Sequence, residues 1–329
     1  MRGANQQQYQ AYVTLLKKHG PAIAQAFSEA VHKGARDVSV TALSAAIERG
    51  DIERIRVLLK LEPERMFALS EAVRSAFIGS GMAVESFAPI AAEFAFSGTQ
   101  TIAEQWIVDN GARLVQDISD TAMGVARDVI QEGLRDGHGS AKVARELIGR
   151  GKAREGARIG LTRQQSRAVD NTRKNLQELD GEYLTRKWRD KRYDAQVRRA
   201  IKEGKPLSVS QIDTITGRYA DRAERYRARS IGQVEARRGI AGGQDIAYRQ
   251  LQDRPNVDSI SKRWQWNPGN QQDPRPDHQA ISGTVLPNDE PFVFPDGVRF
   301  MYPNDPAAPI DHTIWCHCTV FRRVKMAVD

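Results

Sequence analysis

The hydrophobic period of this chain changes once, near Asn256, and that change limits the fold more than any other feature. Before it, apolar residues recur every three or four positions, as in Ile55, Leu58, Leu59 and in Ala103, Trp106, Ile107, Leu114, Ile118. That spacing lines one face of an α-helix. After it, bulky and polar residues alternate, as in Arg263-Trp264-Gln265-Trp266, the period of a half-buried strand. The expected class is mainly α with a small C-terminal α+β domain.

Backbone-permissive residues paired with breakers or caps punctuate the helical part. Gly20-Pro21, Gly50-Asp51, Gly79-Ser80-Gly81 and Asp136-Gly137-His138-Gly139 are expected breaks, with Ser140 capping the next helix. From 161 to 250 three more helices are expected, at 162–179, 181–202 and 210–251. Thr162 and Ser210 are their hydroxyl-bearing starts. Beyond Asn256, a strand at 263–266 ends at Asn267-Pro268-Gly269. Phe292-Val293-Phe294 and Val298-Arg299-Phe300 flank Pro295-Asp296-Gly297 as a hairpin, and Val320–Val324 is a closing strand. Neither a sustained heptad nor a period of 20 to 50 residues appears, so coiled-coil and solenoid folds are not expected.

A length of 329 residues leaves room for two or three cores. The expected segments are a helical region at 1–150, a basic helical region at 151–250 and an α+β domain at 251–329. Net charge is +8, but 1–150 carries −1, 151–240 carries +11 and 241–329 carries −2. Such a local excess attracts a polyanion, double-stranded DNA first, because neutralised phosphates release counterions. An acidic protein surface is the other polyanion. The candidate contacts are Arg186, Lys187, Arg189, Lys191, Arg192, Arg222, Arg225 and Arg229, interleaved with Trp188 and Tyr193. In the alternative, these belong to amphipathic helices whose Trp188 and Tyr193 are core.

The most apolar stretch, Phe77 to Phe94, contains Glu85, Glu93, Gly79, Gly81 and Pro89, so no membrane span is expected. Met1-Arg2-Gly3-Ala4-Asn5 and the following glutamines lack the apolar core of a secretory signal, which implies a cytoplasmic protein. Cys316 and Cys318 are the two cysteines. One intervening residue gives poor geometry for a mutual disulfide, so reduced thiols are expected.

His278, Cys316 and Cys318 offer imidazole and thiolate donors that suit Zn²⁺, with His312, His317 or Asp311 as a fourth. The alternative is metal-free packing, with His278 hydrogen-bonded across to buried thiols. Asp273, Asp277 and His278 also form a nuclease-like acid–base or metal cluster, or else a capped turn stiffened by Pro274 and Pro276. A Gly-rich phosphate loop, a dinucleotide fingerprint and a Ser-His-Asp signature are all missing, which excludes the common enzyme classes.

Taken in order, Trp264 or Trp266, Asp273, Arg275, His278, Gly283, Asp305, Cys316 and Cys318 resemble the phage head morphogenesis family of Mu F-like minor head proteins. Arg227-Ala228-Arg229-Ser230-Ile231-Gly232-Gln233-Val234-Glu235 resembles a helix of that family, with Gly232, Gln233 and Val234 where it has Ala, Arg and Thr. These features cover about residues 125 to 325, and the first 120 residues carry no resemblance. The resemblance implies a low-copy component of the virion, inside the head near the portal and in host cytoplasm during assembly. Its implied partners are the portal protein, the major capsid or scaffolding protein, and packaged double-stranded DNA. The N-terminal region would dock on portal or capsid, with no membrane partner and no enzymatic activity. The rival expectations are a metal-dependent nuclease or toxin-like enzyme using His278, and a free DNA-binding protein.

Overall fold

A computed structural model describes residues 3–60, 66–152, 154–266 and 275–327. It is mainly helical with a small antiparallel sheet near the C-terminus, as the change of period requires. The helices are α1 (Ala4–Arg36), α2 (Val40–Glu48), α3 (Ile52–Leu58), α4 (Phe67–Glu85), α5 (Thr101–Arg135), α6 (Ser140–Ile148), α7 (Arg163–Gln177), α8 (Asp194–Glu203), α9 (Val209–Gln252), α10 (Pro276–Ala280) and α11 (Ile310–Thr313). The strands are β1 (Val257–Gln265), β2 (Val285–Pro287), β3 (Phe292–Val293), β4 (Arg299–Phe300) and β5 (Thr319–Met326). Among the described residues no helix is long and apolar enough to cross a membrane. Packing divides the chain into one unit of residues 1–24, 69–113 and 230–329, and another of 25–68 and 114–229. Each unit draws on more than one of the three segments read from sequence.

In the first unit, glycines let helices approach rather than break them. A Cβ at Gly232 of α9 would overlap the Gly20 carbonyl of α1, and one at Gly243 would overlap the Phe77 carbonyl of α4. Gly20-Pro21 therefore lies inside α1, and Gly79-Ser80-Gly81 inside α4, contrary to the breaks expected there. Gly81 sits where any Cβ would strike the Phe96 ring. The three-stranded sheet has the order β2-β1-β5, all antiparallel, with Lys262 opposite both Leu286 and Arg322. Val257 and Ile260 of β1 pack on Ala247, Tyr248 and Leu251 of α9. A buried ion pair, Arg322 Nη2 to Asp245 Oδ1 at 2.7 Å, also links β5 to α9, and Arg322 donates to Asn288 Oδ1 at 2.9 Å. The Gln8 side-chain amide donates to the Arg322 carbonyl at 2.8 Å and accepts its N–H at 3.1 Å. One side chain thus satisfies both backbone groups of an edge residue that would otherwise invite a foreign strand. The expected hairpin is the β3–β4 pair, with Gly297 at φ 84° where a side chain would strain the turn.

In the second unit, α7 begins as expected with a capping box: Thr162 accepts from Gln165 N while the Gln165 side chain accepts from Thr162 N. Helix α9 uses the same device two residues earlier than expected, with Ser208 and Gln211 in place of a Ser210 start. Ser140 does not cap α6. Gly139 holds that position, and the Ser140 hydroxyl pairs instead with Ser44 and Glu48 of α2. The helix expected at 181–202 is two 3-10 turns, Gly181–Thr185 and Lys191–Tyr193, followed by α8. Asp180 and Asp190 cause this, since their carboxylates accept from Glu182 N and Arg192 N and cap short turns. The Arg192 guanidinium in turn holds the Asp190 carboxyl down at about 2. Leu176, Tyr183, Val197, Ile212 and Ile215 form one core beneath these turns.

Candidate functional sites

The C-terminal motif residues meet around one histidine. Helix α10 starts with Pro276 in its first turn, where a missing N–H costs nothing, and this places His278 inward. Its ring is 1% exposed and meets Trp264 edge-on at 5.5 Å between centroids. Trp264 itself contacts Phe292, Phe294 and Phe300, so strand β1 and the hairpin build one aromatic wall. Cys316 and Cys318, at 2% and 4% exposed, complete that core.

His278 Nδ1 lies 3.4 Å from Cys316 Sγ and 3.5 Å from Cys318 Sγ. The two cysteines precede β5 rather than sitting within it, and both are free thiols, as expected. The neighbouring Cys318 and then His278 hold the Cys316 thiol well below the ordinary thiol range, against the opposing effect of burial. His278, Cys316 and Cys318 form a buried group that can hold a metal ion. A tetrahedral Zn²⁺ with bonds near 2.3 Å to sulfur and 2.0 Å to nitrogen needs S···N separations of about 3.5 Å. The two S···N distances meet that requirement.

His312 is not a fourth donor to this group. It stands on the other side of His278, with Nδ1 3.2 Å from His278 Nε2, and its own Nε2 is 2.7 Å from Asp296 Oδ2. This is the outer arrangement that fixes the tautomer of a ligating imidazole, leaving one ring nitrogen for the metal and the other for a hydrogen-bond partner. A bond from the Val298 N–H, and then His312, keep the Asp296 carboxyl below its usual range. His317 turns away to Arg237 Nη2 at 3.1 Å, and Asp311 is exposed. Asp277, Asp296 and His312 make a second, more open group of potential metal donors.

The remaining motif residues serve the backbone. Arg275 donates to the carbonyls of His312 and Ile314, tying the first motif to the second. Gly283 holds φ 93° while its N–H donates to the Trp264 carbonyl at 2.9 Å. Asp305 accepts from Met301 N and Ala307 N, and burial pushes its carboxyl up. Asp273 lies outside the described residues. Sequence reading missed Asp296 as part of the site, because it looked like an ordinary turn residue, and missed Arg237, the partner of His317, which no motif marks.

The eight basic candidates divide by partner. Arg186 bonds Asn175 and Glu182, Arg189 bonds Asp194, Arg192 bonds Asp190, and Arg222 donates to the Arg189 carbonyl. Lys187 lies 4.7 Å from the centre of the Tyr226 ring. Lys191, Arg225 and Arg229 are exposed and make no hydrogen bond or ion pair among the described residues. The aromatics are not exposed stacking platforms. Trp188 packs against Tyr219 and Tyr226, and Tyr193 joins a core cluster, so that half of the pattern belongs to the interior.

Across 122 residues the chain is 30% identical to the uncharacterized protein YqbB of Bacillus subtilis (strain 168), a match covering 37% of this chain and 37% of that protein. No protein-family model matches the chain. No solved structure matches it.

Proposed function

We propose that this protein is a minor head protein of a tailed bacteriophage, acting in head assembly and in organising or delivering packaged DNA near the portal. The observation that supports it is the convergence of the family-like residues on one core: Trp264, His278, Cys316 and Cys318 in contact, Arg275 bridging the motifs, and Gly283 and Asp305 shaping the loops. Scattered coincidences of spacing have no reason to meet in space. The burial of His278 favours an architectural role for it over phosphate hydrolysis, since a substrate needs reach to its acid or base.

Zinc is the metal we assign to the buried group, because two thiolates and an imidazole at tetrahedral spacing suit it. Such a centre would fasten the segment before β5 to α10 and the aromatic wall. DNA is the polyanion assigned to the second unit, through Lys191, Arg225 and Arg229 first, which are exposed and make no hydrogen bond or ion pair among the described residues. Deleting the gene in a phage that carries it tests the reading. Loss of infectious particles, restored by the wild-type chain but not by His278→Ala, is the expected result. Full infectivity without the gene refutes an essential role in the head.

A further inference from the structure

Within the first unit, one face of the three-stranded sheet forms part of an open groove of about 610 Å³, lined also by the start of α1 and by the turn after α4. The volume falls in the range of sites that take a small molecule or a short stretch of chain, about 300–1,000 Å³. Two arginines stand in it. Arg263 of β1 lies opposite Phe321 of β5, and Arg323 of β5 lies opposite Ser261 of β1. They are therefore diagonal neighbours on one face, about 7–8 Å apart. Both are exposed, and neither makes a hydrogen bond or ion pair among the described residues. Two other cations of β5 differ in this respect: Arg322 is paired with Asp245, and Lys325 with Asp258 at 2.7 Å. Among the described residues that line the groove, none is acidic. Two like charges held this close repel, and a ligand of opposite charge relieves the repulsion.

Phe87, Pro89, Val285 and Val324 give the same groove an apolar part. A nucleic-acid strand has no aliphatic side chains for such a surface, and its bases need open ring faces, whereas Phe87 is half-buried and Phe321 buried. A peptide with both acidic and apolar side chains suits both parts of the lining. In an extended segment residues i and i+2 point the same way and stand about 7 Å apart, the separation of the two arginines. We infer that this groove docks an extended acidic segment of a partner protein. Carboxylates at its positions i and i+2 pair with Arg263 and Arg323, whose forked guanidinium groups match them bidentately. Its apolar side chains rest on Phe87, Pro89 and the two valines. The surface is separate from the cations read as DNA contacts, Lys191, Arg225 and Arg229, which belong to the second unit.

The test uses the full chain and labelled synthetic peptides, read by fluorescence polarisation. Each peptide carries two aspartates at positions i and i+1, i and i+2, or i and i+3 among valines and leucines, with a counterpart in which both are asparagine. Saturable binding is expected, tightest for the i and i+2 peptide and lost with asparagine. Arg263→Gln and Arg323→Gln should each weaken it about tenfold, the loss of one charge-assisted pair. Arg263→Lys, which keeps the charge without the fork, should weaken it less. The variant Lys191→Glu/Arg225→Glu/Arg229→Glu should leave it unchanged. Both arginines are exposed, so thermal unfolding of these variants should match wild type. Peptides that do not bind, that bind regardless of spacing, or that bind the glutamine variants as well as wild type overturn the proposal. Labelled single-stranded DNA that displaces the peptide, and loses affinity in the same glutamine variants, assigns the groove to nucleic acid and overturns it too.

Discussion

Replacing His278 by alanine removes the ring that both thiols and His312 meet. The ring is buried against Trp264, Phe294, Phe300 and His312, so its loss resembles truncation of a core aromatic, about 3–5 kcal/mol. It also leaves His312 Nδ1 and two buried thiols without their partner, about 1–3 kcal/mol more for the imidazole nitrogen alone. Against a typical stability of about 5–15 kcal/mol the variant folds weakly at best. If zinc is bound, its apparent contribution of about 10 kcal/mol or more goes too, and the first unit does not fold. His278→Phe separates volume from chemistry. It refills the space at about 1–2 kcal/mol if packing is all that matters, and remains as defective as alanine if the ring nitrogens carry the contact. Urea unfolding followed by tryptophan fluorescence and near-ultraviolet circular dichroism, with metal content measured on the same samples, reads both variants. A His278→Ala protein within about 0.5 kcal/mol of wild type refutes the reasoning, because a surface residue behaves that way.

Three further outcomes follow from other parts of the molecule. The protein is expected to bind double-stranded DNA without sequence preference, and Lys191→Glu/Arg225→Glu/Arg229→Glu to lose affinity and flatten the slope of log K against log salt by up to about 3, which filter binding at several salt concentrations checks. Gly243→Ala should cost about 1–3 kcal/mol in thermal unfolding, since the new Cβ overlaps the Phe77 carbonyl of a packed helix. Lys262 has its ammonium lowered to about 8 by burial, so between pH 8 and the unfolded lysine value near 10.4 the unfolded state binds more protons. Stability should therefore gain a rising component across that window, absent in Lys262→Met, when unfolding is measured at a series of pH values.

The helix-to-strand change was legible because period survives without tertiary context, and the Thr162 capping box because both halves lie within four residues. The breaks at Gly20-Pro21 and Gly79-Gly81 were misread for the opposite reason. Only the partner, Gly232 for Gly20 and Phe96 for Gly81, reveals that those glycines make room rather than turns. The contact of His278 with Cys316 and Cys318 was foreseen from motif order, and it is found at 3.4 and 3.5 Å. The place of His312 was not, since a histidine sixteen residues after a turn aspartate and four before a cysteine reads equally as ligand or support until the ring nitrogens are seen. Arg237, the partner of His317, was invisible, being one more cation on a long helix. Among the basic residues, charge run alone could not separate Arg186, Arg189 and Arg192, which pair directly with nearby carboxylates, from Lys191, Arg225 and Arg229, which make no direct ion pair among the described residues.

Quantitative mass spectrometry of purified phage particles tests the head-protein reading most directly. Peptides of this chain at a few copies per particle, retained in DNA-filled heads after stringent purification, are the expected result. Particles that infect normally and contain none of it contradict the reading.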